Sequence, residues 1–420
     1  MKERSLNSAT APLPIYSSSI TEKIERHPMT LNVTPRNLRE SATVGRATNL
    51  HHSETGVLKP QVLKQHRHLS TQKNRSKLMV DVTVAIPTFN SEKRLPEVLD
   101  RLRAQINTEH FYWEIIVVDN NSTDNTAKIV REYQANWSET APLHYTLEVE
   151  QGAAFARQRA VEEARGTLIG FLDDDNLPDS NWVAAAYAFG QAHPEVGAYG
   201  SQIHGNFEIE PPEDFKKIAC FLALVDRGAD ASRYEPRKKI LPPGAGLVVR
   251  RQAWLENVPK RLVLNHKGRE AKLASEDLEA TLHIQRAGWE IWYNPEMRVS
   301  HQIPRWRLEK DYLISLIRCV GLSRYHIRML GLKNWQRPVA FPAYLLNDLR
   351  RLMLHLIKYR GDQRDLIAAC ERELLLSSLI SPFFLFKNKY LEIGQAKIFG
   401  LREDINSLPG LVDQKVSTAP

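Results

Sequence analysis

Three consecutive aspartates, Asp173, Asp174 and Asp175, end the apolar run GTLIGFL. Adjacent carboxylates repel one another, so the cluster makes most sense with a cation present. Mg2+ or Mn2+ typically takes one or two protein carboxylates and completes its shell with phosphate oxygens and water. With Asp-x-Asp spacing, one carboxylate can serve the ion and the other a neighbouring sugar or nucleotide hydroxyl. Upstream, Asp119 ends the apolar run WEIIVV. A carboxylate there can accept hydrogen bonds from a nucleobase or ribose. Downstream, Ser275-Glu276-Asp277 lies 102 residues past Asp175 and opens a helical pattern with Leu278, Leu282 and Ile284 on its apolar face. A carboxylate within reach of a hydroxyl can act as a general base. Asp277 is the candidate and Glu276 its neighbour. Each motif also has a plainer reading, as a solvated turn, an Asx turn or a complement to a helix dipole.

The elements that must position these groups alternate. VDVTVAIPT is a buried-strand pattern ended by Pro87, and 91–105 reads as an amphipathic helix. Strands are expected at 113–119, 144–150 and 166–175, with helices after Ser122 and over 153–165. Later strands are expected at 196–203, 244–250 and 290–295, with a helix over 276–287 between the last two. Beyond 308 the pattern turns helical, over 309–330, 342–359, 363–380 and 382–392. Alternation with short connections implies parallel strands and right-handed crossovers. Ligands of such sheets bind at the carboxyl ends of the strands, where Asn90, Asp119 and Asp173–Asp175 fall. The small residues of Pro242-Pro243-Gly244-Ala245-Gly246 suit a backbone that approaches a ligand closely.

The chain has 420 residues and a formal charge of +8. That charge is unevenly spread. Residues 1–78 hold 13 Lys/Arg against 5 Asp/Glu, residues 79–301 hold 25 against 33, and the remainder holds 19 against 11. The segment with the chemical motifs is therefore acidic, which argues against a nucleic-acid partner. Residues 1–78 lack periodicity and read as a disordered basic tail, and His51, His52, His66 and His68 read as part of that solvated tail ahead of a weak metal tract. Met79, just before the first strand, is an alternative start. Cys220, Cys319 and Cys370 lie far apart and form no disulfide framework, so a reducing compartment is expected. No run of eighteen apolar residues and no apolar leader is visible.

Five pieces taken in order make a resemblance specific: VAIPTFNSEKRLPEVLDRL, IIVVDNNSTDNTAKI, GAAFARQRAVEEARGTLIGFLDDDNLPDSNWV, PPGAGLVVRR and SEDLEATLHIQRAGWEIWYNP. Through them, residues 80–310 resemble the family 2 glycosyltransferases. A narrower pattern, GAGLVVRR…SEDLE…GWEI…H, resembles the cyanobacterial hormogonium and other exopolysaccharide transferases of that family. The resemblance implies an α/β fold of GT-A type, with a Rossmann-like, mostly parallel central sheet and flanking helices. A C-terminal helical region and a disordered N-terminal tail complete it. The expected boundaries are 1–78 tail, 79–308 catalytic domain, 309–400 helical region and 401–420 flexible tail. The implied activity is inverting transfer of a sugar from a nucleotide-sugar donor, a UDP-sugar being the commonest, to a glycan or lipid-linked glycan.

The resemblance also distributes roles. Pro87, Asn90, Asp119, Arg157, Asp173 and Asp174 line the nucleotide, with Asp119 on the base and Asp173 on the ribose or the metal. Asp175, Asp173 and His301 hold Mg2+ or Mn2+. Asp277 is the base, with Glu276 beside it. Arg157 matches the arginine of the family's G-x-x-x-A-R-N segment, but Gln158 replaces its asparagine. Arg305 and Arg307 could neutralise a departing diphosphate, since guanidinium forks match phosphate oxygens. Gln302-Ile303-Pro304-Arg305-Trp306 matches the Q-x-x-R-W of processive synthases, yet it lies only 25 residues past Asp277. Those enzymes also use spanning helices. A nucleotidyltransferase would need a Gly-rich basic loop where IPTFNSEK stands, and a non-catalytic sugar-nucleotide binder would not need Asp277. The expected location is cytoplasmic, with peripheral contact at the inner membrane face through the basic, leucine-rich helices after 302. There Leu345, Leu346, Leu349, Leu352, Leu356 and Ile357 are expected on one face.

Overall fold

The computed structural model describes residues 80–138, 140–236, 241–265, 273–360 and 365–406, with side chains up to 387. The expected basic tail, its histidines, Met79 and the last residues of the chain lie outside these. The first half is built as its pattern predicts. Strand β1 (Val82–Thr88) and strand β2 (Trp113–Asp119) are buried almost throughout. That fits central strands covered on both faces. They pair in parallel, with β3 (Leu143–Leu147) beyond β2 and β4 (Leu168–Phe171) beyond β1. Thr88 and Asp119 face each other in that register, and Leu172 donates its N–H to the Ala85 carbonyl. The carboxyl ends of β1, β2 and β4 therefore lie side by side, as the sequence predicts.

The second half departs from an all-parallel sheet. Strand β8 (Leu247–Arg250) runs antiparallel to β4 and to β6 (Val196–Phe207). Strand β9 (Glu290–Ile303) is parallel to β6, and the short strands β5 (Asn176–Pro178) and β7 (Ser232–Arg233) pair antiparallel with β9. The order is β3-β2-β1-β4-β8-β6-β9-β5, a mixed sheet. β9 was expected to stop at 295. It runs 14 residues, because an irregularity in the β6–β9 register between Ser201 and Gln202 carries it past Asn294-Pro295. His301 thus lies within a strand and not after one.

Helices flank both faces. Helix α1 (Leu95–Arg103), α2 (Thr126–Ala135) and α4 (Trp182–Ala192) pack on one side with Leu95, Val98, Leu99, Val130, Trp182 and Val183. Helix α3 (Ala153–Glu163), α5 (Arg251–Asn257) and α6 (Glu276–Arg286) pack on the other. Beyond β9 come α7 (Lys310–Leu330), α8 (Arg337–Lys358) and α9 (Leu366–Asn406). The two helices expected over 363–392 are one, continuous through Pro382. A proline removes one intrahelical donor. Here the helix continues where Ser381 donates to the Leu322 carbonyl of α7.

Candidate active site

The aspartate triplet meets three arginines from three other elements. Asp173 accepts from Arg157 Nη2 of α3 at 3.1 Å. Asp174 accepts from Arg94 Nε at 2.9 Å, from Thr88 Oγ1 at 3.1 Å and from the Ser91 hydroxyl. Asp175 Oδ2 pairs with Arg307 Nη2 at 2.6 Å, and its Oδ1 accepts from Asn176 Nδ2 at 3.0 Å. Burial, opposed by Arg157 and reinforced by Asp175 and Asp174, holds the Asp173 pKa above the usual carboxylate value. Burial also works on Asp175, but the charges of Arg307 and Arg94 pull the other way, and that carboxyl lies well below the usual range. Like charges in one place are thus resolved by separate counter-ions.

Arg157 extends the network. Its Nη1 donates to Glu276 Oε1 at 2.6 Å, so one buried guanidinium joins the end of β4 to the start of α6. Next to Glu276, Asp277 Oδ2 accepts from the Gly244 N–H at 2.5 Å and Oδ1 from its neighbour Leu278 N–H at 2.8 Å. Burial and the adjacent Glu276 push the Asp277 pKa up to about 6, against the pull of Arg157. Gly244 is required by this packing. A Cβ there would lie 2.7 Å from Arg157 Nη2 and 3.2 Å from Asp277 Cβ. The glycine-rich loop thus makes its close approach to protein atoms.

On the other flank, Asp119 is buried and its Oδ2 accepts from the Tyr145 hydroxyl at 2.8 Å, while Oδ1 accepts from the Ser122 N–H at 2.9 Å. Burial and the Asp119 carboxylate push the Tyr145 phenol up to about 12. Asn90 takes a left-handed φ of 49° and ties the loop after β1 to the loop after β2. Its Oδ1 accepts from the Thr123 N–H at 2.8 Å, and its N–H donates to Ser122 Oγ at 3.0 Å. Pro87 sits opposite Val118 in the β1–β2 ladder.

His301 is buried, and its Nδ1 lies 2.9 Å from the Leu222 carbonyl oxygen. A carbonyl only accepts, so Nδ1 carries the proton and Nε2 presents a lone pair. That lone pair lies 3.6 Å from Asp175 Oδ1 and accepts from Arg307 Nη1 at 2.7 Å. A ring fixed by a carbonyl on its far nitrogen is how metal-binding histidines are held. Asp175 and His301 thus offer donor atoms toward one position, suited in kind to a divalent cation, and the Arg307 guanidinium takes both of them here. Asp173, expected as a third ligand, faces Arg157 instead. Among the described residues no group of three or more His, Cys, Asp or Glu gathers as a metal cluster. Arg305 is exposed, and its backbone N–H donates to Glu208. Of the two arginines expected near the diphosphate, only Arg307 is held against the aspartate triplet.

Residues 83–252 match the family model Glycosyl transferase family 2. The matched stretch runs from β1 into α5 and holds Asp119, Arg157 and the aspartate triplet; Glu276, Asp277 and His301 lie beyond it. Glycosyltransferase AglE of Haloferax volcanii is 32% identical over 103 residues, 24% of this chain and 33% of its own length. A PGL/p-HBAD biosynthesis glycosyltransferase of Mycobacterium bovis is 33% identical over 155 residues, 34% of this chain and 58% of its own length. The chain thus spans about a third to somewhat over half of these relatives. Among solved structures, the mannosyltransferase PcManGT from Pyrobaculum calidifontis, in complex with GDP-Man and Mn2+, is similar with a TM-score of 0.45 and 19% identity. That match covers 76% of this chain and 94% of the other. The narrower resemblance to cyanobacterial exopolysaccharide enzymes is not supported by these relatives.

Two residues of the site escape a reading of motifs. Arg94 lies in the loop after β1 with nothing to mark it except that three acids need three counter-ions. Tyr145 is an unmarked aromatic in a strand, and only the parallel pairing of β3 with β2 brings it to Asp119.

Proposed function

We propose that this protein is an inverting glycosyltransferase that moves a sugar, of hexosyl type, from a nucleotide-sugar donor to a hydroxyl of a glycan or lipid-linked glycan. The observation that carries the reading is the Arg157 bridge. It joins Asp173 of the aspartate triplet to Glu276, the neighbour of Asp277, within a sheet of which strands β1 to β8 lie in the stretch that matches the family 2 model. Asp119, Pro87 and Asn90 line the nucleotide end. Asp174 keeps the loop ends of β4 and β1 together, and Asp173, held by Arg157, stands beside the ribose. Asp277 takes the proton of the acceptor hydroxyl while that oxygen bonds to the anomeric carbon. The bond to the diphosphate breaks on the opposite side, so the configuration inverts. Glu276 holds Arg157 and, through its charge, keeps Asp277 basic. Arg307 is placed to give hydrogen bonds to a diphosphate oxygen as negative charge develops there.

Asp175 and His301, released by Arg307, would hold Mg2+ or Mn2+, which supplies positive charge to the diphosphate. The decisive experiment is a screen for nucleoside diphosphate release over common donors, UDP-sugars first, with Mn2+, Mg2+ or excess chelator. Release with one donor and one metal, lost in chelator, is the expected result. Turnover in excess chelator overturns the metal assignment. Absence of release with every donor from folded protein overturns the transferase reading.

A further inference from the structure

Helix α8 carries two apolar faces, where a helix packed on a domain needs one. Tyr344, Asp348 and Leu352 are buried against the protein. On the opposite side Val339, Leu346, Met353 and Ile357 recur at helical spacing and stand 52–69% exposed. The expected single stripe is thus split: Leu352 is core, while Leu346, Leu349, Leu356 and Ile357 face outward. Trp335, just before the helix, is 70% exposed, and Phe383 and Phe386 of α9 are exposed as well. Isolated exposed apolar residues are ordinary, but a continuous stripe marks an interaction surface.

The charges say what covers it. Between 333 and 360 the basic side chains are Lys333, Arg337, Arg350, Arg351, Lys358 and Arg360, and the only acid is Asp348. Asp348 is buried and already bound by Arg328 at 2.5 and 3.0 Å. The seam behind the helix is positive too. Arg324 has the Ser378 hydroxyl as a hydrogen-bond acceptor, and burial together with Arg328 pushes its pKa down to about 9. The basic residues 1–78 are no complement to such a surface. An occupant must offer an apolar interior and a negative skin at once. No helix among the described residues is long and apolar enough to cross a membrane.

We propose that the outward face of α8, with Trp335 and with Phe383 and Phe386 of α9, lies in the interfacial layer of a membrane that carries anionic lipid. The leucine-rich stripe enters the acyl boundary, and Arg350, which sits on the stripe between Leu346 and Met353, extends its head to the phosphates. This inference is independent of the reaction proposed above.

The test is co-sedimentation of the full chain with phosphatidylcholine vesicles, with and without phosphatidylglycerol, at low and high salt. Binding to the anionic vesicles alone, weakened by salt, is expected. Arg350→Gln, Arg351→Gln and Lys358→Gln together should weaken partitioning roughly 100-fold. Leu346→Ser, Met353→Ser and Ile357→Ser should abolish it, with unchanged melting temperature because all three side chains are exposed. A wild-type chain that remains in the supernatant with anionic vesicles at low salt overturns the proposal. So does a concentration-dependent dimer that the serine variants dissociate, since a second copy would then be the occupant.

Discussion

Arg157 is the residue on which the site turns, and its loss separates stability from chemistry. It satisfies Asp173 and Glu276 together. Removing one partner of a buried ion pair costs about 3–5 kcal/mol, because the other charge is left uncompensated. Arg157→Gln should lose that much in urea unfolding. Asp277 gives a different signature. Its pKa, raised from 3.8 to about 6, means that the base is present above that pH and is titrated away below it. The rate of nucleoside diphosphate release should fall tenfold per pH unit below about 6 in the wild type. Asp277→Asn should cost roughly 10²–10⁴-fold at neutral pH and lose this dependence. Donor affinity should be unchanged. The acids of this site were legible because carboxylates at strand ends are costly. The cations were only half legible. Arg307 and Arg157 came from neighbouring motifs, whereas Arg94 is one basic residue among many on the loop after β1, and its partner is set only by the fold.

At the scale of elements, α6 does two jobs with one turn. Glu276 and Asp277 face the aspartate triplet and the Gly244 loop. Glu279, almost fully buried, accepts from the N–H groups of Val263 and Leu264 at 3.1 and 2.7 Å and lies 2.8 Å from His326 of α7. A charged acceptor that serves this many donors clamps the segment before α6 and the helix after β9 to the same point. Glu279→Ala leaves two backbone donors without an acceptor, and a cost of about 3 kcal/mol is expected from denaturant titration. Sequence periodicity found α6 but assigned its acids to the site as a pair. The third acid, Glu279, carries no mark in the sequence, since nothing local distinguishes a buried glutamate from an exposed one. The same limit hid the length of β9. Its pattern breaks at Asn294-Pro295, and only the partner strand β6 shows that the pairing resumes beyond the break.

For the whole molecule, the helical region is part of the same structure as the sheet. Ile303 and Leu308 share a core with Leu313, Ile317, Ile367 and Cys370. Leu330 of α7 packs in the sheet's own cluster, and the Ala274 N–H donates to Ser323. A chain cut after Leu308 should therefore be insoluble rather than a smaller active domain, which expression and light scattering would show. The alternation of strands and helices foretold the layered α/β class. It could not foretell the mixed second half of the sheet, because β8 pairs with strands distant in sequence. The one-to-one match of Asp173, Asp174 and Asp175 with Arg157, Arg94 and Arg307 has a last consequence for how the molecule meets its ligands. The fold does not wait on a metal to quiet its own carboxylates, so a chelator should leave the melting temperature of the free protein unchanged. Donor capture is then an exchange of ionic partners at constant local charge. Its affinity should respond to salt less steeply than binding to a bare acidic or basic cleft, and Arg307 is the ion that changes hands.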